Sequence, residues 1–540
     1  MNSSRSRSSD RTASLGSAVR TLASWTLLSR GLGLVRDLAT ARAFLDSPIA
    51  SAFAAAFALP NLFRRLFGEG ALSAAFIPAY TRALEEDAEL ARRLASLTIA
   101  LVVGATALAV AVGEGVLLLL LAWLPEHSER AFSFELMMLL LPYMPMICAT
   151  ALLGGMLHVH GRFAPTAAAP VLLNLAMIAA AATHFLSNEP DPRTTARLVA
   201  IAALIAGVAQ VAWSLLALRG FVRWTSHVRA AGERAKHMLR RFVPAALGLG
   251  AVQLNTFIDT LLAMWPIWVG PLFFGWTYPL DETSNGVLFF TQRLYQFPLG
   301  VFGIAVATAV FPLLARAAGD ERVFRDTLRR GLRLSLFIGL PASIGLALVA
   351  GDLVRALFAG GGADVSFSAD GIETAERVLV AYAAGVWAYS LNHVLARAFF
   401  AQGDTTTPTR VAASMVLLNV GLNLALIWSL GAAGLAWSTA ACAAIQALLL
   451  AMLLRRRVAA PWVARPDVMA VLRIAAASMA MFVAVLLVSR WLGTRESWTQ
   501  QVVGLSVLVA VGGGVYLGAA VTLRCPEMTW LLPTRESEPT

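Results

Sequence analysis

The stretch ASWTLLSRGLGLVRDLATARAFL, residues 23–45, is apolar enough to enter a bilayer, yet it carries Arg30, Arg36 and Asp37 in its middle and Arg42 near its end. Arg64 and Arg65, followed by Glu69, interrupt the next apolar run, and Arg293 interrupts a later one. A charge at the centre of a hydrocarbon core costs from about 2.5 to over 10 kcal/mol unless it faces protein or water, so the set implies a wet interior. Arginine stays protonated, and its planar fork donates paired hydrogen bonds to phosphate or carboxylate oxygens. Several guanidiniums converging on one cavity would select a diphosphate or another polyanionic head group.

At about 100° per residue, Arg30 and Asp37 nearly share a helix face, while Arg36 points about 120° away from Arg30. Gly31 and Gly33 would let this helix bend or approach a neighbour closely enough to turn these groups toward one cavity. Asp37 could then offset part of the charge of one neighbour and leave the site cationic. The plainer reading has Arg30 and Arg42 reaching opposite interfaces while Arg64 and Arg65 anchor a helix end.

A second constellation is made of amides. VQLNTFIDTLLA places Asn255 and Asp259 on one helical face, LLNVGLNLAL does the same for Asn419 and Asn423, and the following segment offers Thr439. One carboxylate among neutral oxygens would suit a monovalent cation, with Na+ or H+ as the coupling ion. Hydrogen bonding between helices, worth about 0.6 to 2 kcal/mol per contact, is the other use of such residues. No Cys/His cluster, Gly-rich phosphate loop or nucleophile elbow is evident. His158 and His160 in HVHGRF fall at a helix end, where a solvated role is expected. Cys148, Cys442 and Cys525 have neither a disulfide pattern nor metal-ligand spacing. No cofactor is expected, so any drive would come from an ion or the membrane potential.

The elements that must hold these residues are membrane helices. The chain has 540 residues, 58% of them hydrophobic and only 14% charged, a balance that excludes an ordinary soluble domain. Runs of roughly 20 apolar residues, each long enough to cross a core about 30 Å thick, recur from end to end. We count fourteen, and their unbroken strength predicts an all-α fold, because barrel strands would alternate over about ten residues. The second run is broken by charge, and the eighth is rich in Gly and Pro.

Most basic residues fall in the tails and in alternate loops, the positive-inside pattern that puts both termini in the cytoplasm. The net charge of +11 is thus a topology signal that also favours anionic lipid heads, and no nucleic-acid module accompanies it. The Ser- and Arg-rich start reads as a cytoplasmic tail without the apolar region of a signal peptide.

The expected organisation is a tail over 1–20, a six-helix lobe over 21–220 and a basic connection over 221–238. A second six-helix lobe covers 239–457, a closing helix pair 458–524, and a tail 525–540. AFIPAYTRA (Ala75 to Ala83) resembles AVFPLLARA (Ala309 to Ala317), each ending the second helix of its half, which implies a parallel repeat about an axis along the membrane normal. The outer loop with Trp265, Trp268 and Trp276 reads first as an interfacial aromatic belt and second as a gate or lid.

SRGLGLVRDLATARAF, followed by AFALPNLFRRLFGEGALSAAFIPAY, closely resembles the MurJ (MviN) family of flippases for lipid II, the undecaprenyl-diphosphate-linked cell-wall precursor. QRLYQFPLGVFGIAVATAVFP and RAFFAQGDTTTPTR look like later motifs of the same family. The resemblance implies fourteen helices in two pseudo-symmetric lobes, with the final pair and the second lobe forming a groove for the lipid tail. It implies substrate arginines at Arg30, Arg36, Arg64 and Arg293, with Glu69 in the same block as Arg64; Asp37 and Arg65, singled out by their charge, join Glu69 as gate or cavity support. It also implies a sodium site at Asp259, Asn419, Asn423 and Thr439, with an amide at Asn423 where a second acid is expected.

The chain departs from the family at Ser51, Ala58 and Gln292, where charged residues are common, which puts in doubt any salt bridge there and leaves the cavity more cationic. The implied partners are lipid II, membrane lipids and, transiently, cell-wall synthesis proteins, in a bacterial cytoplasmic membrane. Competing readings are a flippase for another polyprenyl-diphosphate oligosaccharide and a polyprenyl-lipid enzyme. The enzyme would need an acidic residue in an outer loop, where Asp281, Glu282, Asp364 and Asp370 stand without a motif.

Overall fold

The computed structural model describes residues 24–25, 27–68, 71–125, 127–359, 366–457, 465–495 and 497–531. Glu69 and Asp364 lie outside them. The chain divides into two compact units, Met1–Pro271 and Leu272–Thr540.

In the first unit, α1 (27–44), α2 (Pro48–Gly68) and α3 (Ala71–Glu86) precede the long α4 (Ala88–Leu121). Then come α5 (Glu129–Leu140), α6 (Tyr143–Val159), α7 (Ala164–Leu186), α8 (Pro192–Leu218), α9 (Gly232–Ala263) and the single turn α10 (Trp265–Trp268). The second unit opens with strands β1 (Leu272–Phe273) and β2 (Trp276–Thr277). Helices α11 (Ser284–Pro298) and α12 (Ile304–Ala317) follow, joined by a π segment over Leu299–Gly303. Next are α13 (Glu321–Leu348), α14 (Ala350–Phe358), α15 (Ala369–Ala384), α16 (Val386–Ala401), α17 (Thr406–Leu430) and α18 (Ala432–Arg455). α19 (Arg465–Leu492), α20 (Trp498–Thr522) and the short α21 (Glu527–Leu531) end the unit.

Ten helices among the described residues are long and apolar enough to cross a membrane: α4, α5 with α6, α7, α8, α13, α15 with α16, α17, α18, α19 and α20. The count of fourteen also needs α1, the α2–α3 pair, α9 and the α11–α12 passage, which are not among the ten. Those four carry every candidate arginine and Asp259.

Polar caps set the starts of the apolar helices. Asp87 accepts from the backbone N–H groups of Glu89 and Leu90, Asp191 from those of Arg193 and Thr194, and Asp320 from those of Arg322 and Val323. Ser497 closes a full capping box with Gln500 ahead of α20. Each cap satisfies orphan donors of the first helical turn. Asp404, ahead of α17, accepts the Thr407 hydroxyl (2.6 Å) and the Thr406 and Thr407 amides (2.9 Å each) and pairs with Arg457 (2.7 Å). The Thr407 hydroxyl and amide are the main reason its carboxyl is pushed down to about 2.

In the first unit α2 packs on α5 and α6, α4 on α6, and α7 on α8. α9 packs on α3 and α2, so the compact unit extends one helix beyond the repeat-based lobe over 21–220. The repeated motifs lie in α3 and α12, each with a proline inside the helix, Pro78 and Pro312. In the second unit α13 is central, packing on α16, α15 and α19. Phe337, Ile474, Met481, Val485, Leu508 and Tyr516 form the core that joins α13 to α19 and α20, and the Tyr516 hydroxyl donates to the Phe337 carbonyl (2.5 Å).

Charged groups fasten the ends of these same helices. Arg333 donates to Glu527 through Nε (2.7 Å) and pairs with it through Nη2 (2.7 Å), while Arg329 pairs with Asp467. Trp530 of α21 stacks on Arg333 at 5.1 Å. Glu527 is fully buried.

The loop with Trp265, Trp268 and Trp276 contains a feature the all-α expectation omits: β1 and β2 pair antiparallel, Leu272 opposite Thr277 and Phe273 opposite Trp276. Phe274 and Gly275 both take positive φ, 49° and 86°, as a two-residue turn matched to strand twist requires. Phe274 and Trp276 are exposed on this hairpin, while Phe273 packs toward Tyr278 and Trp428.

Candidate functional site: buried guanidiniums and an amide clamp

α1 is continuous over 27–44 and presents Arg36 and Asp37 to the interior of the first unit. Arg36 folds back on its sequence neighbour, Nε and Nη2 donating to Asp37 Oδ1 at 3.0 and 2.6 Å. Nη1 donates to the Asn174 side-chain oxygen at 3.0 Å, and Asn174 in turn donates to the Ser29 carbonyl at 3.0 Å. The ring of Phe57 lies 5.7 Å from the guanidinium carbon. Both partners of the ion pair are nearly buried, their side chains 12% and 10% exposed.

The neighbour whose charge Asp37 offsets is Arg36. A long arginine can double back to an adjacent carboxylate, and so the two sequence neighbours pair. The second hydrogens on Nη1 and Nη2 still point away from these bonds, ready for an oxyanion. Arg30 is exposed and makes no hydrogen bond or ion pair among the described residues. A Cβ at Gly31 would meet nothing within 4 Å, and one at Gly33 would touch Asn174 Nδ2 at an ordinary 3.6 Å, so crowding does not demand glycine at either place.

On α2, Arg64 Nε donates to Asn61 at 3.0 Å, and Arg65 Nη1 donates to Gln253 of α9 at 2.9 Å. Ser51 is fully buried and Ala58 is half-buried. Tyr143 of α6, 1% exposed, is within electrostatic reach of both Arg64 and Arg36. Gly207 of α8 lets that ring in: a Cβ there would stand 2.7 Å from Tyr143 Cδ2 and 3.0 Å from Met146 Sδ. Gly207→Ala should therefore lower stability by about 1–3 kcal/mol. The check is a thermal melt in detergent paired with a translocation assay, and an unchanged melt would show that the ring moves without cost.

His160 does not take the solvated role expected of it. It caps α6, its Nε2 lies 3.1 Å from the Tyr80 hydroxyl of α3, and its ring packs on Phe221 at 5.1 Å. Burial holds its imidazole below the usual range.

In the second unit, Arg293 of α11 donates through Nη1 to Gln296 (3.1 Å) and lies over Phe289 at 4.7 Å. Gln292 is half-buried beside it. Six and more residues on, Pro298 and the π segment break the regular helix: proline lacks the N–H that an α-helix would use there.

The amides come together on α17 and α18. Asn423 Nδ2 donates to Asn419 Oδ1 (2.8 Å), the Ser438 hydroxyl donates to Asn423 Oδ1, and Asn419 Nδ2 donates to Ser438 (3.3 Å) and Thr439 (3.5 Å). Both amide oxygens are already accepting. These bonds clamp α17 to α18. Asp259, the carboxylate of the expected set, belongs to α9 of the first unit. Asn423→Ala should cost about 1–3 kcal/mol by stranding buried partners. The melting temperature of the unsubstituted protein should be the same in sodium and choline salts; a saturable rise in sodium that this variant abolishes would instead establish a cation site.

Asn174, Asn61, Gln253, Phe57, Tyr143 and Ser438 were not singled out from the sequence. One signal could have found Asn174: Val171-Leu172-Leu173-Asn174 recurs as Val416-Leu417-Leu418-Asn419, and both asparagines are buried and bonded.

Two helical units with ten apolar spans among the described residues, and half-buried arginines on the helices beside them, define a class of multi-pass membrane transporters. The fold is similar to a solved multidrug MATE family transporter of the MOP superfamily in an inward-facing conformation, with a TM-score of 0.63 at 14% identity over 79% of this chain and 94% of that one. It is more similar to a lipid II flippase MurJ solved in an inward closed conformation, with a TM-score of 0.74 at 22% identity over 93% and 98% of the two chains. The family model described as lipid II flippase MurJ matches residues 40–512. A probable lipid II flippase MurJ of Vibrio cholerae is 31% identical over 92% of this chain and 94% of its own length. The lipid II flippase MurJ of Burkholderia cenocepacia is 31% identical over 82% and 84%. The chain belongs to the lipid II flippase MurJ family.

Proposed function

We propose that this protein carries lipid II from the inner to the outer leaflet of a bacterial cytoplasmic membrane by alternating access, with both termini in the cytoplasm. The observation that carries the reading is Arg36, fixed by Asp37 and Asn174 inside the first unit with donors left over. A diphosphate needs fixed, permanently charged donors, and a guanidinium already oriented by a carboxylate loses little freedom on binding it. Arg30, exposed on α1, and Arg293 would add charge, while Arg64, Arg65 and Glu69 would shape the gate. Family membership supports the cargo, and cell-wall synthesis proteins would receive it by transient contact.

No step in this reading uses a bound cation. The membrane potential supplies about 2.3 kcal/mol per elementary charge moved across 100 mV. The test is rescue of cells depleted of their own lipid II flippase, followed by translocation of labelled lipid II in proteoliposomes. Rescue with translocation, both lost in Arg30→Ala while that variant melts normally, is the expected result. A purified protein that never moves lipid II would overturn the proposal.

A further inference from the structure

The motif RAFFAQGDTTTPTR holds an intramembrane arginine to which nothing above gives a role. Arg397 lies one turn from the C-terminal end of α16, in the span Ala369–Ala401. Its Nη1 donates to the Thr308 hydroxyl of α12 at 3.0 Å and to the Ile304 carbonyl at 3.4 Å. Nε and Nη2 make no hydrogen bond, and no carboxylate pairs with Arg397, among the described residues. The other titratable group beside it is His393, one turn earlier on the same helix.

A helix-end arginine usually extends toward the nearer interface. Arg397 does the reverse. Helical side chains lean toward the N-terminus, and this one reaches back to the start of α12, about 13 Å of helix from Ala317 if measured from Thr308. There it meets the junction between the π segment and α12, where Gly303 packs so close to α16 that a Cβ would come within 2.7 Å of Ser390 Oγ. π segments recur at functional sites, and an arginine with no counter-charge at such depth must face water or an anion. Thr308 is exposed, so the surface it shares with Arg397 is open.

We propose that Arg397, positioned by Thr308, is a second-unit binding residue for an oxyanion of the transported lipid. The inference rests on the flippase reading. Phosphate of the diphosphate and carboxylate of the peptide present the same paired oxygens to a guanidinium. The two sources are separated by two ligands: a polyprenyl diphosphate without sugar or peptide, and lipid II whose peptide carboxylates have been amidated.

The experiment measures affinity of the full-length protein in detergent for lipid II and for both ligands, with Arg397→Ala, Arg397→Lys and Thr308→Val beside the unsubstituted protein. Arg397→Ala should bind lipid II at least tenfold more weakly, and Arg397→Lys and Thr308→Val should fall between. If the loss persists with polyprenyl diphosphate, Arg397 takes phosphate; if it persists only with ligands that keep free carboxylates, it takes carboxylate. Should Arg397→Ala fail to fold, Arg397→Lys and Thr308→Val decide the matter. Unchanged affinity in these variants, with lipid II still moved by the unsubstituted protein, overturns this inference alone. Failure of the unsubstituted protein to bind or move lipid II overturns the flippase reading as well.

Discussion

Arg36→Ala should destabilise the protein and abolish translocation, while Arg36→Gln combined with Asp37→Asn should recover most of the stability and none of the transport. The single change takes the Arg36 guanidinium from Asp37, whose side chain is 10% exposed, and leaves that carboxylate in a low-dielectric interior. Breaking a buried pair from one side costs about 3–5 kcal/mol, whereas replacing both charges by neutral groups of similar shape is close to neutral. Asn174 can hydrogen-bond to a glutamine amide at 36, so its contact with α1 survives in the double variant. Transport depends on something the double variant cannot restore, a permanent positive charge with fork geometry. We expect at least a hundredfold loss in lipid II translocation in both variants, set against melts that differ sharply. Normal translocation by the double variant would reduce the Arg36–Asp37 pair to a helix clamp.

Glu527→Ala should be the most damaging substitution outside that region. Glu527 is fully buried and takes two nitrogens of Arg333, and the other carboxylate near Arg333, Asp467, is 3.5 Å away and already paired with Arg329. Removing Glu527 leaves more positive than negative charge in a largely closed site, again at about 3–5 kcal/mol. It also releases the turn that holds Trp530 on Arg333. The expected readouts are a lowered melting temperature and faster proteolytic cleavage after α20. Glu527→Gln, which keeps a hydrogen-bond acceptor, should fall between, and a melt of Glu527→Ala equal to that of the unsubstituted protein would refute the buried-charge argument.

The membrane class, the helical passages and the cationic character of the interior are legible in the sequence because each is a one-residue property: the cost of moving a side chain from water to lipid. Pairings are not of that kind. Asn174 stands 138 positions from Arg36 and looks like any amide in an apolar run, and Gln253, 188 positions from Arg65, is equally silent. The packing of α9 on α3 depends on surface shape, which a hydropathy pattern does not encode. Asn419 and Asn423 were placed on one face, as they are, but whether they hold a cation or each other turns on Ser438, a residue with no distinctive pattern around it. Arg397 was hidden by its position near a helix end, where an arginine normally needs no explanation.

Arg36 on α1 and Arg65 on α2 are charged groups whose amide partners sit on helices made later, Asn174 on α7 and Gln253 on α9. Each intramembrane Arg or Asp adds about 2.5–3.5 kcal/mol to the free energy of entering lipid from the translocon. These segments therefore gain a stable place in the bilayer only once later partners have emerged from the ribosome: α1 must wait for Asn174 on α7, and α2 for Gln253 on α9. The chain would be born with its most polar helices provisional and its apolar ones, beginning with α4, committed first. Binding chemistry in the finished protein is thereby tied to the order in which its helices are delivered to the membrane.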